Sequence, residues 1–155
     1  MKTRFQVDRI DCKIIELLQR DARMTNTEIG KLVGLSQPAV TARIRALEEA
    51  GVIEGYGARI NARALGQEIT AFIRLRTSHD KIAQCLKTFD RFPEILEAHR
   101  ITGEDCFVVK ATCAQMPNLE AVIDGLAKHG AVTTSLVLAT YRPKPVLAAV
   151  DSVRP

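Results

Sequence analysis

The stretch that most constrains this chain is residues 25–51, TNTEIGKLVGLSQPAVTARIRALEEAG. Its spacing predicts two short helices joined by a tight turn. Thr25 followed three residues later by Glu28 is a capping box, in which each side chain accepts from a backbone N–H that the helix start leaves unpaired. Ile29, Leu32 and Val33 then recur at helical spacing. Gly34 ends the run, because glycine takes the left-handed backbone without steric cost. Leu35 fills the angle between the helices, and Ser36 is a good N-cap for the second one.

On that second helix Val40, Ile44 and Leu47 share one face. At about 100° per residue, Pro38, Thr41, Ala42 and Arg45 point the other way. This outer face has small residues, a hydroxyl and a guanidinium, with no large apolar side chain. Such a surface enters a DNA major groove without steric conflict, and Arg45 can donate to base edges or phosphates. Between Ser36 and Leu47 the charged residues are Arg43 and Arg45, and acids begin only at Glu48. The candidate DNA contacts are therefore Ser36, Gln37, Pro38, Thr41, Ala42, Arg43 and Arg45. Arg43 lies near the buried edge and suits either a phosphate or internal packing. A plain helical hairpin with a solvated outer face shows the same spacing, so the surroundings must decide.

The 155 residues allow one domain or two small ones, and 46% hydrophobic content supplies packed cores. With 5% aromatic residues and no Trp, a base-stacking single-strand binder is disfavoured. The net charge of +4 suits an anionic partner without requiring one. Cys12, Cys85, Cys106 and Cys113 form no C-x-x-C pair, and His79, His99 and His129 are scattered, so no metal site is expected. Neither a signal peptide nor a bilayer-length apolar run is present, which leads us to expect free thiols in a reducing cytoplasm and no membrane partner. Cys85 shares a helical face with Ile82, Leu86 and Phe89 and reads as core. No Ser–His–acid, Cys–His or metal constellation assembles. Cys106 near His99 is the best thiol candidate, and strand positions explain both more simply. Neither an enzyme nor a cofactor is expected.

Upstream, Asp8 caps a first helix, with Asp11 in its first turn and Ile10, Ile14, Leu17 and Leu18 as its apolar stripe. Three helices then share one core. Val52 and Ile53 begin an extended stretch that ends near Ile60 and is broken by Gly55 and Gly57, expected as a small wing or hinge. Tyr56 and Arg59 there reach phosphates or pack the linker. From residue 67 the period changes to two: Ile69, Ala71, Ile73 and Leu75 alternate with Thr70, Phe72, Arg74 and Arg76, the mark of a strand. Residues 81–92 read as a helix with Ile82, Leu86 and Phe89 inward, stopped by Pro93. Strands over 95–102 and 106–113 flank a turn at 103–105. Pro117 suits the start of the next helix, which Leu119, Val122, Ile123 and Leu126 stripe and Gly130 is expected to cap. Residues 131–141 read as the last strand.

The order β-α-β-β-α-β predicts a ferredoxin-like antiparallel sheet with both helices on one face. Its other, half-apolar face is expected to pack against a second copy with two-fold symmetry. The fold class is therefore α+β: an N-terminal helix-turn-helix (winged-helix-like) domain at 1–61, a linker at 62–68, a C-terminal ferredoxin-like βαββαβ domain at 69–141, and a tail at 142–155 read as an extended arm or disorder.

Three segments, IDCKIIELLQRDAR, TNTEIGKLVGLSQPAVTARIRALEEAGVIEGY and ITGEDCFVVKA, give the chain more than a fold. Over almost its whole length it resembles the Lrp/AsnC family, the feast/famine regulatory proteins. The resemblance implies a cytoplasmic, nucleoid-associated transcription regulator that recognises specific double-stranded DNA. It implies a homodimer through the C-terminal domain, assembling further to an octamer. It also implies an effector, an amino acid or related small metabolite, held between dimers and altering assembly or DNA affinity. Aligned with the family's effector-contact region are Thr102, Gly103, Glu104, Asp105 and Cys106, with Thr134 as a second contact. Many members carry an aspartate and an aromatic after this turn, where this chain has Cys106–Phe107 and places its acids at Glu104 and Asp105. Without the family, the same turn still offers backbone N–H groups to a carboxylate and an acid to an ammonium, or else is a plain hairpin with solvated acids. The alternative to a regulator is an effector-independent, nucleoid-architectural DNA-binding protein of the same fold.

Overall fold

The computed structural model describes residues 5–141 and 143–149, with 153–154 as backbone. They form two compact units: the described residues up to Arg59 together with those from 143 onward, and Ile60–Tyr141.

The first unit begins with β1 (Val7–Asp8), then α1 (Arg9–Arg20), α2 (Asn26–Val33) and α3 (Gln37–Glu49). The expected capping box of Thr25 with Glu28 forms on α2, and Asp8, expected as the cap of α1, forms a second box with Asp11. Gly34 closes α2 in the left-handed conformation, φ 74°. Ser36 occupies the N-cap of α3 but makes no side-chain cap bond. Ile14, Leu17, Ile29, Val40 and Ile44 form the buried core, closed by Ile10, Leu18, Met24, Val33, Leu35 and Ile53. Leu32 shares the spacing of α2 but lies on its exposed side.

No wing strand forms at 52–61. Gly51, at φ 69°, turns the chain back, and the N–H groups of Val52 and Ile53 both donate to the Leu47 carbonyl. The stretch is thus tied to the end of α3 and has no strand beside it. The only ladder in this unit, among the described residues, is a two-residue parallel one, β1 with β6 (Val153–Arg154).

The second unit opens with a 3-10 turn, Ala62–Leu65, followed by β2 (Ile69–Thr77), α4 (Ile82–Arg91), β3 (Ile95–Arg100), β4 (Phe107–Cys113), α5 (Met116–Ala127) and β5 (Gly130–Leu136). The sheet is antiparallel in the order β3-β4-β2-β5, the expected ferredoxin-like topology. Ala71, Ile73 and Leu75 of β2 and Phe107, Val109, Ala111 and Cys113 of β4 bury against Cys85 and Phe89 of α4 and Leu119, Val122 and Leu126 of α5. Phe89 meets Phe107 edge-on, with ring centroids 5.2 Å apart.

Three local expectations are corrected. Leu86 is half exposed, because the buried arc of α4 centres on Cys85 and Leu86 lies about 100° round the helix from it. Gly130 does not cap α5, which ends at Lys128 in ordinary helical conformation. It opens β5 instead, where a Cβ would fall 2.0 Å from the Arg76 carbonyl oxygen, so the two strands approach as closely as they do only because the residue is glycine. Finally, β5 stops at Leu136 instead of 141: its partner β2 starts at Ile69, and after Val137 N–H bonds the Thr70 carbonyl there is no ladder left to join.

Candidate functional site

α3 turns Val40, Ile44 and Leu47 into the core and leaves Ser36, Gln37, Pro38, Thr41, Ala42 and Arg45 exposed on one surface. The hydroxyl of Thr41 is fully engaged. It donates to the Gln37 carbonyl at 3.0 Å and accepts from Gln37 Nε2 at 3.1 Å and Asn26 Nδ2 at 2.9 Å. Asn26 and Gln37 each keep a second side-chain amide hydrogen beyond these bonds, whereas the Thr41 hydroxyl has no hydrogen to spare. Asn26 was not among the sequence candidates. Its signal is its place as the first residue of α2, where the start of one helix crosses the start of the next.

Arg45 stands out from the helix with a side chain 78% exposed, and its Nε donates to Glu49 Oε1 at 2.8 Å. That bond and the negative charge of Glu49 raise the guanidinium pKa further. Both terminal nitrogens stay available for an anion. Below them a shallow cavity of about 450 Å³ is lined by Asn26, Thr41, Ile44, Arg45, Glu48 and Tyr56 along with Ala22. Tyr56 donates to Glu48 at 2.7 Å, and partial burial together with that carboxylate pushes its phenol up to about 12.

Arg43 is turned inward. Its Nη1 donates to Asp8 Oδ2 and to Asp11 Oδ1, each at 2.7 Å. Burial pulls the Asp8 carboxyl upward, but the Asp11 N–H and the Arg43 guanidinium outweigh it and hold the group below its ordinary value. In this conformation Arg43 joins α3 to α1 and is not an outward donor.

In the second unit, residues 101–106 form the turn between β3 and β4, closed by Ile101 N–H on the Cys106 carbonyl at 3.0 Å and bent at Gly103, φ 112°. Asp105 lies 3.8 Å from Arg74 and Glu104 3.6 Å from Arg76. The turn therefore carries balanced charge rather than two free acids. The Cys106 thiol points inward and donates to the Thr77 carbonyl at 2.9 Å, and the following Phe107 is core. Thr134 stands opposite Ile73, so it shares the helix-covered face of the sheet, whereas Arg74 and Arg76 lie on the open one. Within one chain, Thr134 and the acids of the turn are on different faces. Among the described residues no group of three or more His, Cys, Asp or Glu is placed to hold a metal, and no helix is long and apolar enough to cross a membrane.

Known proteins share both units in this order. Residues 7–54 match the winged helix-turn-helix DNA-binding family, and residues 70–147 match the Lrp/AsnC ligand binding domain. The chain is 40% identical over 139 residues to the HTH-type transcriptional regulator YezC of Bacillus subtilis, covering 90% of this chain and 99% of that one. It is 37% identical over 147 residues to the leucine-responsive regulatory protein of Rhizobium meliloti, covering 92% and 94%. Among solved structures, the transcriptional regulator NMB0573 of Neisseria meningitidis in complex with L-Met superposes with a TM-score of 0.82 at 28% identity, covering 92% of this chain and 96% of that one. A winged helix-turn-helix match over the first unit, a ligand-binding-domain match over the second and near full-length similarity to these regulators together decide the matter: the chain belongs to the Lrp/AsnC family of DNA-binding transcriptional regulators.

Proposed function

We propose that residues 1–61 read specific duplex DNA and that residues 69–141 bind an amino acid and join copies of the chain, so that occupancy of the second domain changes the assembly or DNA affinity of the first. The observation that carries this reading is the outer face of α3, where Gln37, Pro38, Thr41, Ala42 and Arg45 are all exposed and no acid intervenes before Glu48. Ser36, Gln37 and Arg45 contact bases or the adjacent phosphates, while Thr41 and Ala42 leave room for the groove floor. A homodimer presents two such helices to successive major grooves, which makes the site roughly palindromic.

The open face of the sheet supports the dimer. Phe72 sits at its centre, 44% exposed, flanked across the strands by Lys110 and Ser135 and followed by Arg74 opposite Val108. Two-fold packing of this face hides the aromatic ring in both copies. Further association to an octamer in the cytoplasm, on the nucleoid, completes the reading. The effector is an amino acid, as the L-Met bound to the Neisseria regulator suggests. Its carboxylate meets N–H groups of residues 102–105 and its ammonium meets Glu104 or Asp105 after displacing Arg76 or Arg74. Because Thr134 lies on the other face, its contact to the same effector requires a neighbouring copy.

Selection of duplexes from a random pool, followed by footprinting with and without each of the twenty amino acids, tests this. Discrete palindromic footprints that an amino acid shifts are expected. Continuous, effector-insensitive coverage would instead identify an architectural protein.

A further inference from the structure

After Tyr141 the chain leaves the second unit, and the described part of the tail is built into the first. It is held at both ends of α1. Gln19, in the last turn of that helix, uses its side-chain amide as a surrogate strand: Nε2 donates to the Val146 carbonyl at 2.9 Å, and Oε1 accepts the Val146 N–H at 2.8 Å. Satisfying both backbone groups of one residue in this way recognises extended chain, whatever its side chain. At the other end of α1, β6 pairs in parallel with β1, setting Val153 opposite Val7 and Arg154 opposite Asp8. Between these anchors, Arg9, Cys12, Lys13 and Glu16 line a groove of about 220 Å³ against residues 146–148.

Asp8 is where the tail and the DNA-facing helix meet. It ends the ladder with the tail, it caps α1 by accepting Asp11 N–H at 2.7 Å, and it accepts Arg43 Nη1 at 2.7 Å. The same Nη1 reaches Asp11, which is buried and which in turn accepts the Asp8 N–H at 3.0 Å. Arg43 stands between Ala42 and Arg45 in sequence, yet points to the other side of α3. A continuous path of bonds therefore runs from the tail through Asp8 to Arg43 and α3. Without the tail, the two-residue β1 that carries Asp8 loses its ladder partner.

We infer that the tail and Arg43 form one positioning device for the recognition helix. The tail fixes Asp8, Asp8 and Asp11 fix the Arg43 guanidinium, and Arg43 sets the angle at which α3 presents Gln37 and Arg45 to DNA. Arg43 acts here without touching a phosphate. The inference rests on α3 being the DNA-contacting helix.

Four variants of the full protein test it: deletion of residues 142–155, Gln19→Ala, Arg43→Gln, and the deletion combined with Arg43→Gln. Each is titrated, over a range of salt, against a duplex that the unaltered protein selects from a random pool. Deletion and Arg43→Gln should each weaken binding, roughly two- to thirtyfold for a change transmitted through one packed path. The slope of log affinity against log salt should stay as in the unaltered protein, since no phosphate contact is lost. Arg45→Gln, the comparison, should reduce that slope by about 0.9 if it neutralises one phosphate. The combined variant should bind no worse than Arg43→Gln alone, because the two changes act in series. Gln19→Ala, on an exposed face with the tail intact, should show a smaller loss of the same kind, and it decides the matter if the deletion fails to fold. A reduced salt slope in Arg43→Gln, losses that multiply in the combined variant, or full affinity in Gln19→Ala together with the deletion would each overturn the device. If the unaltered protein selects no duplex at all, the DNA-contacting role of α3 falls first and this inference falls with it.

Discussion

Gly30, in the middle of α2, offers a test in which two physical effects predict opposite signs. Glycine inside a helix costs roughly 0.5–1 kcal/mol relative to alanine, so propensity alone makes Gly30→Ala stabilising. The packing argues otherwise. A Cβ on Gly30 would lie 2.5 Å from the Leu35 carbonyl oxygen, while ordinary contact begins near 3.4 Å. The oxygen would have to retreat by about 0.9 Å, a displacement of the kind that overpacking penalises by about 1–3 kcal/mol. It is backbone, not the end of a flexible side chain, and the same turn is anchored by Leu35 N–H on the Gly30 carbonyl at 2.9 Å. Val40 Cγ2, 3.6 Å away, blocks the remaining direction. The net effect is a loss of about 1–2 kcal/mol, which lowers the midpoint of a domain this small by roughly 5–10 °C. Thermal unfolding followed by circular dichroism measures it. Gly57→Ala, where nothing lies within 4 Å of the new methyl, serves as the control and should stay within about 0.5 kcal/mol of the unaltered protein. An unchanged or raised midpoint for Gly30→Ala would refute the packing argument. Because Leu35 leads directly into α3, DNA affinity should fall in parallel.

Removing the guanidinium in Arg45→Ala should weaken binding to a selected duplex by roughly tenfold or more in a gel-shift titration. Glu49→Gln, which frees Arg45 Nε and removes the negative charge beside it, should strengthen it. Asp8 has a folded pKa below its ordinary value of 3.8. The stability it adds is thus fully present above that value and is lost as pH falls through the folded pKa. Asp8→Asn, which keeps a capping oxygen but no charge, should be less stable than the unaltered protein at pH 6, and the difference in unfolding midpoint should shrink below about pH 4. A difference that persists unchanged into acid would show that the charge is not what Asp8 contributes. Phe72→Glu should prevent the proposed two-fold packing and give folded monomers in sedimentation experiments, because the ring it replaces faces out of the sheet.

The family resemblance and much of the fold are legible in the sequence, for an identifiable reason. Capping boxes, a left-handed glycine after a helix and a change of apolar period from 3.6 to 2 are local signals, carried by residues a few positions apart. Thr25 with Glu28, Gly34, and the alternation Ile69–Ala71–Ile73–Leu75 against Phe72–Arg74–Arg76 are of this kind, and each formed as expected. The misreadings share an opposite cause. Leu86 satisfies the helical period as well as Cys85 does, and only the position of the sheet picks the buried arc. Gly130 resembles a helix cap until the Arg76 carbonyl is seen 2.0 Å from where its side chain would be.

What the sequence determined by itself was the menu: three helices, the third with no acid before Glu48, then four strands and two helices in a fixed order, because turn chemistry and periodicity act within a single element. What only the tertiary structure decided was which polar groups remain free. Arg43 and Arg45 are two residues apart and chemically identical, yet Asp8 and Asp11 on α1 hold the first inside and leave the second in solvent. Residues 143–149, without period or motif, gained a place because Gln19 offers both halves of an amide to an extended backbone. Such pairings join atoms far apart in the chain, and their energies depend on distance and on the water they displace, neither of which a linear pattern records.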